Sequence, residues 1–303
     1  MIVGALARTK TDMTSKASDS RTLRRLMESE PVVAPLVFNP LSAKLAQGAG
    51  FKALYLGGGS MGYVKCGTEA NLSLTEMVQA AVDIRTVCPL PLILDGACGW
   101  GDPMHVARTI RMSEAAGFSA IEIEDQILPK RAHHHVGLEH IIPVEAMVDK
   151  VKEAVAARTD ADFLVIARTN AARMHSLDEA LHRGEAYRRA GADMLFVLPK
   201  TPDHVRRIGE TLGGPLLFMT TTGGLESIGM SLSELGKLGY RLVVDPATPL
   251  FAAHRAMRLA YEAMAKGLAD PTLQGGFKQE QEYLHRAIGL ADMLAIERRT
   301  VER

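Results

Sequence analysis

Eight short runs of apolar residues recur along the chain, and their rhythm limits the possible folds more than any other feature. They are VVAPLVF from Val32, ALYLGG from Ala53, LPLILDG from Leu90, AIEIED from Ala120, FLVIART from Phe163, DMLFVLP from Asp193, PLLFMTT from Pro215 and RLVVDP from Arg241. Each is nearly continuous in hydrophobicity, as a parallel strand covered on both faces must be, and helix-period segments separate most successive pairs. Val106, Ala107 and Ile110 form one apolar stripe; Val144, Met147, Val148, Val151 and Val155 form a longer one. The glycines of GAGF at 48, AAGF at 115 and RAGAD at 189 each stand just ahead of a strand, where a helix has to end. Eight such units predict an α/β fold, a closed (β/α)8 TIM-type barrel over residues 31–265. The alternative is an open doubly wound sheet, against which stands the lack of a Gly-rich dinucleotide fingerprint.

The flanks read differently. Residues 1–30, in which Lys10, Lys16, Arg21, Arg24 and Arg25 are interspersed with Asp12, Asp19 and Glu28, lack an apolar signal core and read as a polar arm plus a short helix. Past the barrel, residues 249–267 are expected to be helical, Asp270-Pro271 and Gly275-Gly276 to break that helix, and 277–302 to form one final helix. Residues 266–303 are thus a helical extension that packs on its own barrel or reaches another subunit.

Charge narrows the partners. Thirty-five Lys and Arg balance thirty-five Asp and Glu, which removes the case for nucleic acid or an anionic membrane, since either needs a clustered basic face. No apolar run approaches the roughly 18 residues of a membrane span. Three cysteines, Cys66, Cys88 and Cys98, without CxxC spacing fit a reducing cytoplasm. A small-molecule site is the remaining expectation.

In barrels the chemistry sits where strands end. The third run ends in Asp95-Gly96-Ala97-Cys98-Gly99-Trp100-Gly101, the fourth in Glu122-Ile123-Glu124-Asp125-Gln126 and the fifth in Arg168-Thr169-Asn170. Carboxylates from neighbouring strands beside a basic residue suit a hard cation and a diacid, because Mg²⁺ takes oxygen ligands and leaves positions for substrate oxygens. Equally open on the residues alone is a structural pair of Glu122 with Arg168.

The order FNPLSAKLAQGAGFKALYLGGGS, LPLILDGACGWGDP, AIEIEDQILPKRAHHH, FLVIARTNA and FMTTTGG resembles the isocitrate lyase and phosphoenolpyruvate mutase superfamily over roughly residues 32 to 265. The resemblance implies a modified barrel, a homo-oligomer (dimer or tetramer) exchanging its last barrel helices, and Mg²⁺ or alternatively Mn²⁺. It also implies a small carboxylate substrate passing through an enolate-like fragment. Asp95 and Glu124 would hold the metal. Tyr55, Gly58 and Gly59 resemble a loop that binds the substrate's carboxylate end, Arg168 resembles a carboxylate anchor, and Lys130 resembles the first Lys of a gating loop.

Several positions depart from that pattern. Lys130-Arg131-Ala132-His133-His134-His135 lacks the family's lid thiol, the second Asp of DxDxGxG is Ala97, the serine of YLSGG is Gly57, and NMTE appears as Phe218-Met219-Thr220-Thr221. Among the histidines His134, with His133 beside it, is the candidate general acid or base replacing the thiol. Exposed bystander histidines and a zinc site are the alternatives, the second disfavoured because adjacent residues of an extended loop point in alternating directions. Glu69 is a candidate replacement for a family Asp near the metal, Trp100 a packing wall, Cys98 a buried hydrophobe, and Lys200 a contact for an anionic substrate. The resulting expectation is a cytoplasmic Mg²⁺-dependent carbon–carbon lyase, by retro-aldol cleavage or decarboxylation, on a small α-hydroxy or α-oxo di- or tricarboxylate. Its rivals are phosphonopyruvate-type C–P chemistry and a non-catalytic carboxylate-binding protein that has lost full metal competence.

Overall fold

The computed structural model describes residues 17–273 and 275–302. All eight apolar runs are strands: β1 Val32–Pro35, β2 Leu54–Leu56, β3 Leu92–Asp95, β4 Ala120–Glu124, β5 Leu164–Thr169, β6 Met194–Val197, β7 Leu216–Met219 and β8 Tyr240–Asp245. Every pair is parallel, and neighbours follow chain order with β8 beside β1. A bridge between Leu36 and Tyr55, with the Val37 N–H donating to the Tyr55 carbonyl at 2.8 Å, joins β1 to β2 and closes the (β/α)8 barrel.

Side-chain alternation sorts each strand into two cores. Ala34, Tyr55, Ile93, Ala120, Ile166, Phe196, Leu217 and Val244 fill the barrel, and their neighbours pack outward against the helices. Gly50, Gly117 and Gly191 end helices with φ of 94°, 84° and 104°, a left-handed turn that glycine adopts without a Cβ clash.

One end of the barrel is plugged by the helix Ala17–Ser29. Its Leu23 and Met27 join the interior cluster, while Arg24 reaches Asp193 at 2.9 Å and Arg21 reaches Asp162 at 2.9 Å. The part of the expected arm before residue 17 lies outside the described residues.

Beyond β8 the chain leaves the barrel. Helix Thr248–Met264 buries only Leu250 and exposes Phe251, Met257, Tyr261 and Met264. The single helix expected over 277–302 is two, Phe277–Ile288 and Leu290–Thr300. Gly289, at φ 72°, turns the chain into the left-handed region and stops the first of them. Among the described residues no helix is long and apolar enough to cross a membrane.

Truncating the plug tests its contribution. Leu23 is fully buried, so Leu23→Ala is expected to cost about 2–5 kcal/mol, read as a lower urea midpoint with an unchanged slope.

Candidate active site

The alternation that builds the barrel also aims its charges. In β4 the sequence Ala-Ile-Glu-Ile-Glu points Glu122 and Glu124 inward with Ala120, and the register sets Asp95 beside Glu122 and Arg168 beside Glu124. Arg168 is the hub. Its Nη1 donates to Glu122 Oε1 at 2.7 Å, its Nε donates to Asn170 Oδ1 at 2.9 Å and lies 3.3 Å from Glu124 Oε2, and its guanidinium covers the Phe196 ring at 4.9 Å. Asn170 Nδ2 and Gln126 Nε2 both donate to Glu124 Oε2, at 3.0 and 3.1 Å. Tyr55, fully buried, donates its hydroxyl to Glu122 Oε2 at 3.2 Å.

Asp95 ends β3 and is held by backbone: Gly58 N–H donates to Oδ2 at 2.9 Å and Ala97 N–H to Oδ1 at 3.0 Å. The Gly58 amide, expected to face a substrate carboxylate, is thus engaged by Asp95. A Cβ at Gly58 would lie 3.0 Å from Glu69 Oε2 and 3.2 Å from Asp95 Oδ2, so only glycine lets this turn approach both carboxylates. The following loop is strained, with Ala97 at φ 45° and Trp100 at φ 54°. It is tied down by Lys150 Nζ donating to the Cys98 carbonyl at 2.9 Å and by Trp100 Nε1 donating to the Leu72 carbonyl at 2.9 Å.

A loop covers this cluster. Gln126 bridges Ile141, the Ile127 N–H donates to the His140 carbonyl at 2.8 Å, and the Ile142 N–H donates to the Asp125 carbonyl at 2.9 Å, so the two ends of the loop are stitched together. Asp125 itself accepts from Tyr187 at 2.7 Å and from Arg183 at 3.1 Å. Lys130, buried, contacts both Glu69 and Glu124.

The histidines are not in an extended loop as expected but in a single helical turn, Ala132–Val136. The turn gives each a different polar partner, although the His134 and His135 rings stay 4.0 Å apart between centroids. His134 Nδ1 faces the Arg131 carbonyl at 2.7 Å, which places the ring proton there and leaves Nε2 at 3.3 Å from Glu69 Oε1. His133 pairs with His140 at 3.1 Å and His135 with Tyr63 at 3.1 Å, both on the exposed side. The structure therefore brings Lys130 and His134 to the cluster and leaves His133 outside it. Lys200 is exposed, and Cys98 is buried with its thiol pushed up by burial and by Glu124.

Burial controls the protonation here. Glu122 and Glu124 are each 1% exposed. Desolvation raises the Glu122 carboxyl to about 7 against the pull of Arg168, and Asp95 pushes the same way. Glu124 moves upward for the same reason. Burial lowers Lys130 to about 6, with Arg168 adding to the effect, and also lowers His134.

The donors suit a hard cation in part. Asp95 and Glu124 offer buried carboxylate oxygens, and among the described residues no three His, Cys, Asp or Glu side chains enclose an ion unaided. Such a two-carboxylate site matches the habit of Mg²⁺, which keeps positions for water and substrate. Beside it lies a cavity of about 430 Å³ bordered by Glu69, Ala97, Trp100, His105, Leu128 and Lys130.

The profile of the phosphoenolpyruvate phosphomutase family matches residues 23–265. The chain belongs to the phosphoenolpyruvate mutase and isocitrate lyase superfamily. It is 37% identical over 239 residues to 2,3-dimethylmalate lyase of Eubacterium barkeri, covering 78% of this chain and 82% of that one. It is 35% identical over 265 residues to 2-methylisocitrate lyase of Aeropyrum pernix, covering 86% and 85%. A phosphonopyruvate hydrolase solved with oxalate and Mg²⁺ superposes with a TM-score of 0.76 at 28% identity, over 93% of this chain and 99% of its own.

Sequence reasoning placed Asp95, Glu124, Arg168, Lys130 and His134 at this end of the barrel. It missed Asn170 as a ligand of Glu124 and the Asp125–Arg183–Tyr187 anchor. Strand-end position alone was a signal for Asn170; Arg183 and Tyr187 lie mid-helix and carried none.

A pH dependence follows from Glu122. Its carboxyl titrates near 7 in the folded state, above the unfolded value of 4.5, so between these limits the native protein holds the extra proton and loses stability as pH rises. In chelator, the thermal midpoint is expected to fall as pH rises through that interval, and Glu122→Gln to flatten the slope. A midpoint that climbs there would contradict this protonation.

Proposed function

We propose that the chain is a Mg²⁺-dependent carbon–carbon lyase that cleaves or decarboxylates a small α-hydroxy or α-oxo di- or tricarboxylate through an enolate. One observation carries the reading. Two buried carboxylates, Asp95 and Glu124, end the neighbouring strands β3 and β4, Glu124 lies against Arg168 and Lys130, and His134 and Glu69 stand beside them. Asp95 and Glu124 would hold Mg²⁺, with Mn²⁺ an alternative of the same hard-donor chemistry. The metal, when bound, stabilises negative charge on the enolate oxygen.

The chain's own residues supply the rest. Arg168 offers the fork that grips a carboxylate, and Glu122, oriented by Tyr55, keeps that guanidinium in place. The Gly58 amide, engaged by Asp95, is not free for the substrate's carboxylate end. Lys130, whose ammonium form burial disfavours, and His134, whose Nε2 lies 3.3 Å from Glu69 Oε1, are the side chains placed to move protons at the site. Cys98 does not serve in that role, since its thiol is buried and turned to the Ile127 carbonyl at 3.7 Å. C–P chemistry is the weaker reading, because Gln126 and Arg131-Ala132 stand where the phosphonate-acting members carry Lys and an Asn or Asp-Thr-Ser pattern.

Two further parts of the proposal concern context. The exposed Phe251, Met257, Tyr261 and Met264 on the helix after β8 support a homo-oligomer, a dimer or tetramer in which that helix covers a second copy. Light scattering is expected to give a multiple of 32.8 kDa; a monomer at micromolar concentration would refute it. Three free cysteines support a cytoplasmic location.

Oxalate, a mimic of an enolate, tests the site. With Mg²⁺ present, oxalate at a hundredfold excess over its Kd should stabilise the protein by about 2.7 kcal/mol, visible as a raised thermal midpoint, and chelator should abolish the effect. Arg168→Lys, which keeps the charge and loses the fork, is expected to weaken oxalate at least about tenfold. A folded protein that neither binds oxalate nor releases an α-oxo acid or CO₂ from a panel of such acids would sink the lyase reading.

A further inference from the structure

Two histidines of the covering loop lie outside the site and meet each other. His133 Nδ1 stands 3.1 Å from His140 Nε2, with ring centroids 5.4 Å apart and ring planes inclined by 42°. Both residues are exposed. They come from opposite arms of the loop, His133 from the helical turn and His140 from the segment that returns to the barrel. Their backbones are fixed independently of this contact. The Leu138 N–H donates to the His133 carbonyl at 3.1 Å, and Gly137, at φ 78°, reverses the chain between the arms. On the other side the Ile127 N–H donates to the His140 carbonyl at 2.8 Å, and the neighbouring Ile141 bridges Gln126.

Two neutral imidazoles so placed share one N–H as a hydrogen bond. The same two nitrogens, with the proton of each ring moved to its outer nitrogen, also suit a metal ion. Bonds of about 2.0–2.1 Å to imidazole nitrogen, at angles of about 90° to 110°, set two ligand nitrogens about 3.0–3.4 Å apart. The observed 3.1 Å falls within that interval. The other loop histidines do not compete, since His134 Nδ1 faces the Arg131 carbonyl and His135 faces Tyr63. Among the described residues no third His, Cys, Asp or Glu stands with the pair, so water completes the shell. Imidazole selects Zn²⁺, Ni²⁺, Co²⁺ or Cu²⁺ over Mg²⁺, which takes oxygen. The pair and the carboxylates of the barrel therefore ask for different ions.

We propose that His133 and His140 form a two-histidine clamp for a divalent transition metal, Zn²⁺ in the first place, which ties the helical turn to the returning arm. The objection that adjacent histidines point in alternating directions does not reach this pair, because its members are seven residues apart and meet across the loop. His133 is next in sequence to His134, so an ion held here also fixes the backbone from which His134 reaches Glu69. The site uses neither Asp95 nor Glu124 and stands independently of the lyase reading.

Calorimetry with Zn²⁺ on the full chain tests it, with Mg²⁺ in excess to occupy the carboxylates. The same titration of Cys66→Ser removes the exposed thiol. Wild type and Cys66→Ser are both expected to take one Zn²⁺ per chain at this site. His133→Ala and His140→Ala should each weaken it at least about tenfold, and the double variant hardly further, because a chelate is lost with either ring. Since both side chains are exposed, the variants should keep the wild-type thermal midpoint when no Zn²⁺ is added. A second readout is trypsin cleavage after Arg131, an exposed residue of the same loop. At a tenfold excess of Zn²⁺ over its Kd, the cut should slow about tenfold in the wild type and in neither histidine variant. Binding unchanged in both variants, losses that simply add in the double variant, binding without protection of Arg131, or no saturable binding below about 1 mM would each overturn the clamp.

Discussion

The placement of Arg168 between Glu122 and Glu124 is the interaction on which the site depends. Three ionisable groups are taken out of water at the centre of a barrel, and only their mutual geometry makes that tolerable. Removing one partner would leave the others buried and unmatched, so the cluster acts as a unit. Tyr55, Asn170 and Gln126 satisfy its remaining lone pairs, and Phe196 lies against the face of the guanidinium. Glu122, Glu124, Arg168, Tyr55 and Phe196 are set by strand positions, and Asn170 and Gln126 follow within two residues of the ends of β5 and β4.

The covering loop works by a different logic. It is anchored at its stem by main-chain bonds to Asp125 and His140, and through Asp125 to Arg183 and Tyr187. Its middle, a single turn carrying three histidines, is held mostly by polar side-chain pairs. Lys130 and His134 are thus carried to the carboxylates by the loop and not by a strand, and burial under it lowers the proton affinity of both.

The departures from the superfamily pattern have a local sense. Ala97 sits in a left-handed conformation that a β-carbon tolerates poorly, and the space beside it belongs to the cavity bordered by Trp100 and Lys130. Glu69, from a different loop, reaches the same region and touches Lys130 and His134. A carboxylate from the loop after β2 thus stands in the region where the β3 loop has none, and with Ala132 in place of the thiol, His134 is the imidazole of the covering loop that reaches it.

The eight strands, the helix-ending glycines and the candidates at strand ends were legible in the amino-acid order, because continuous apolar runs and turn chemistry are local properties. Asp95, Glu124 and Arg168 were readable for that reason: a strand end in a barrel has one address. Three matters were decided only in three dimensions. Glu122 and Glu124 share one guanidinium because β4 and β5 register Glu124 against Arg168, and a register belongs to two strands. The histidines separate into three pairings because the loop coils into a turn, whereas local sequence suggested an extended run. The break at Gly289, where the sequence led to one continuous helix, is the third, since glycine permits a left-handed turn without requiring it and only packing decides.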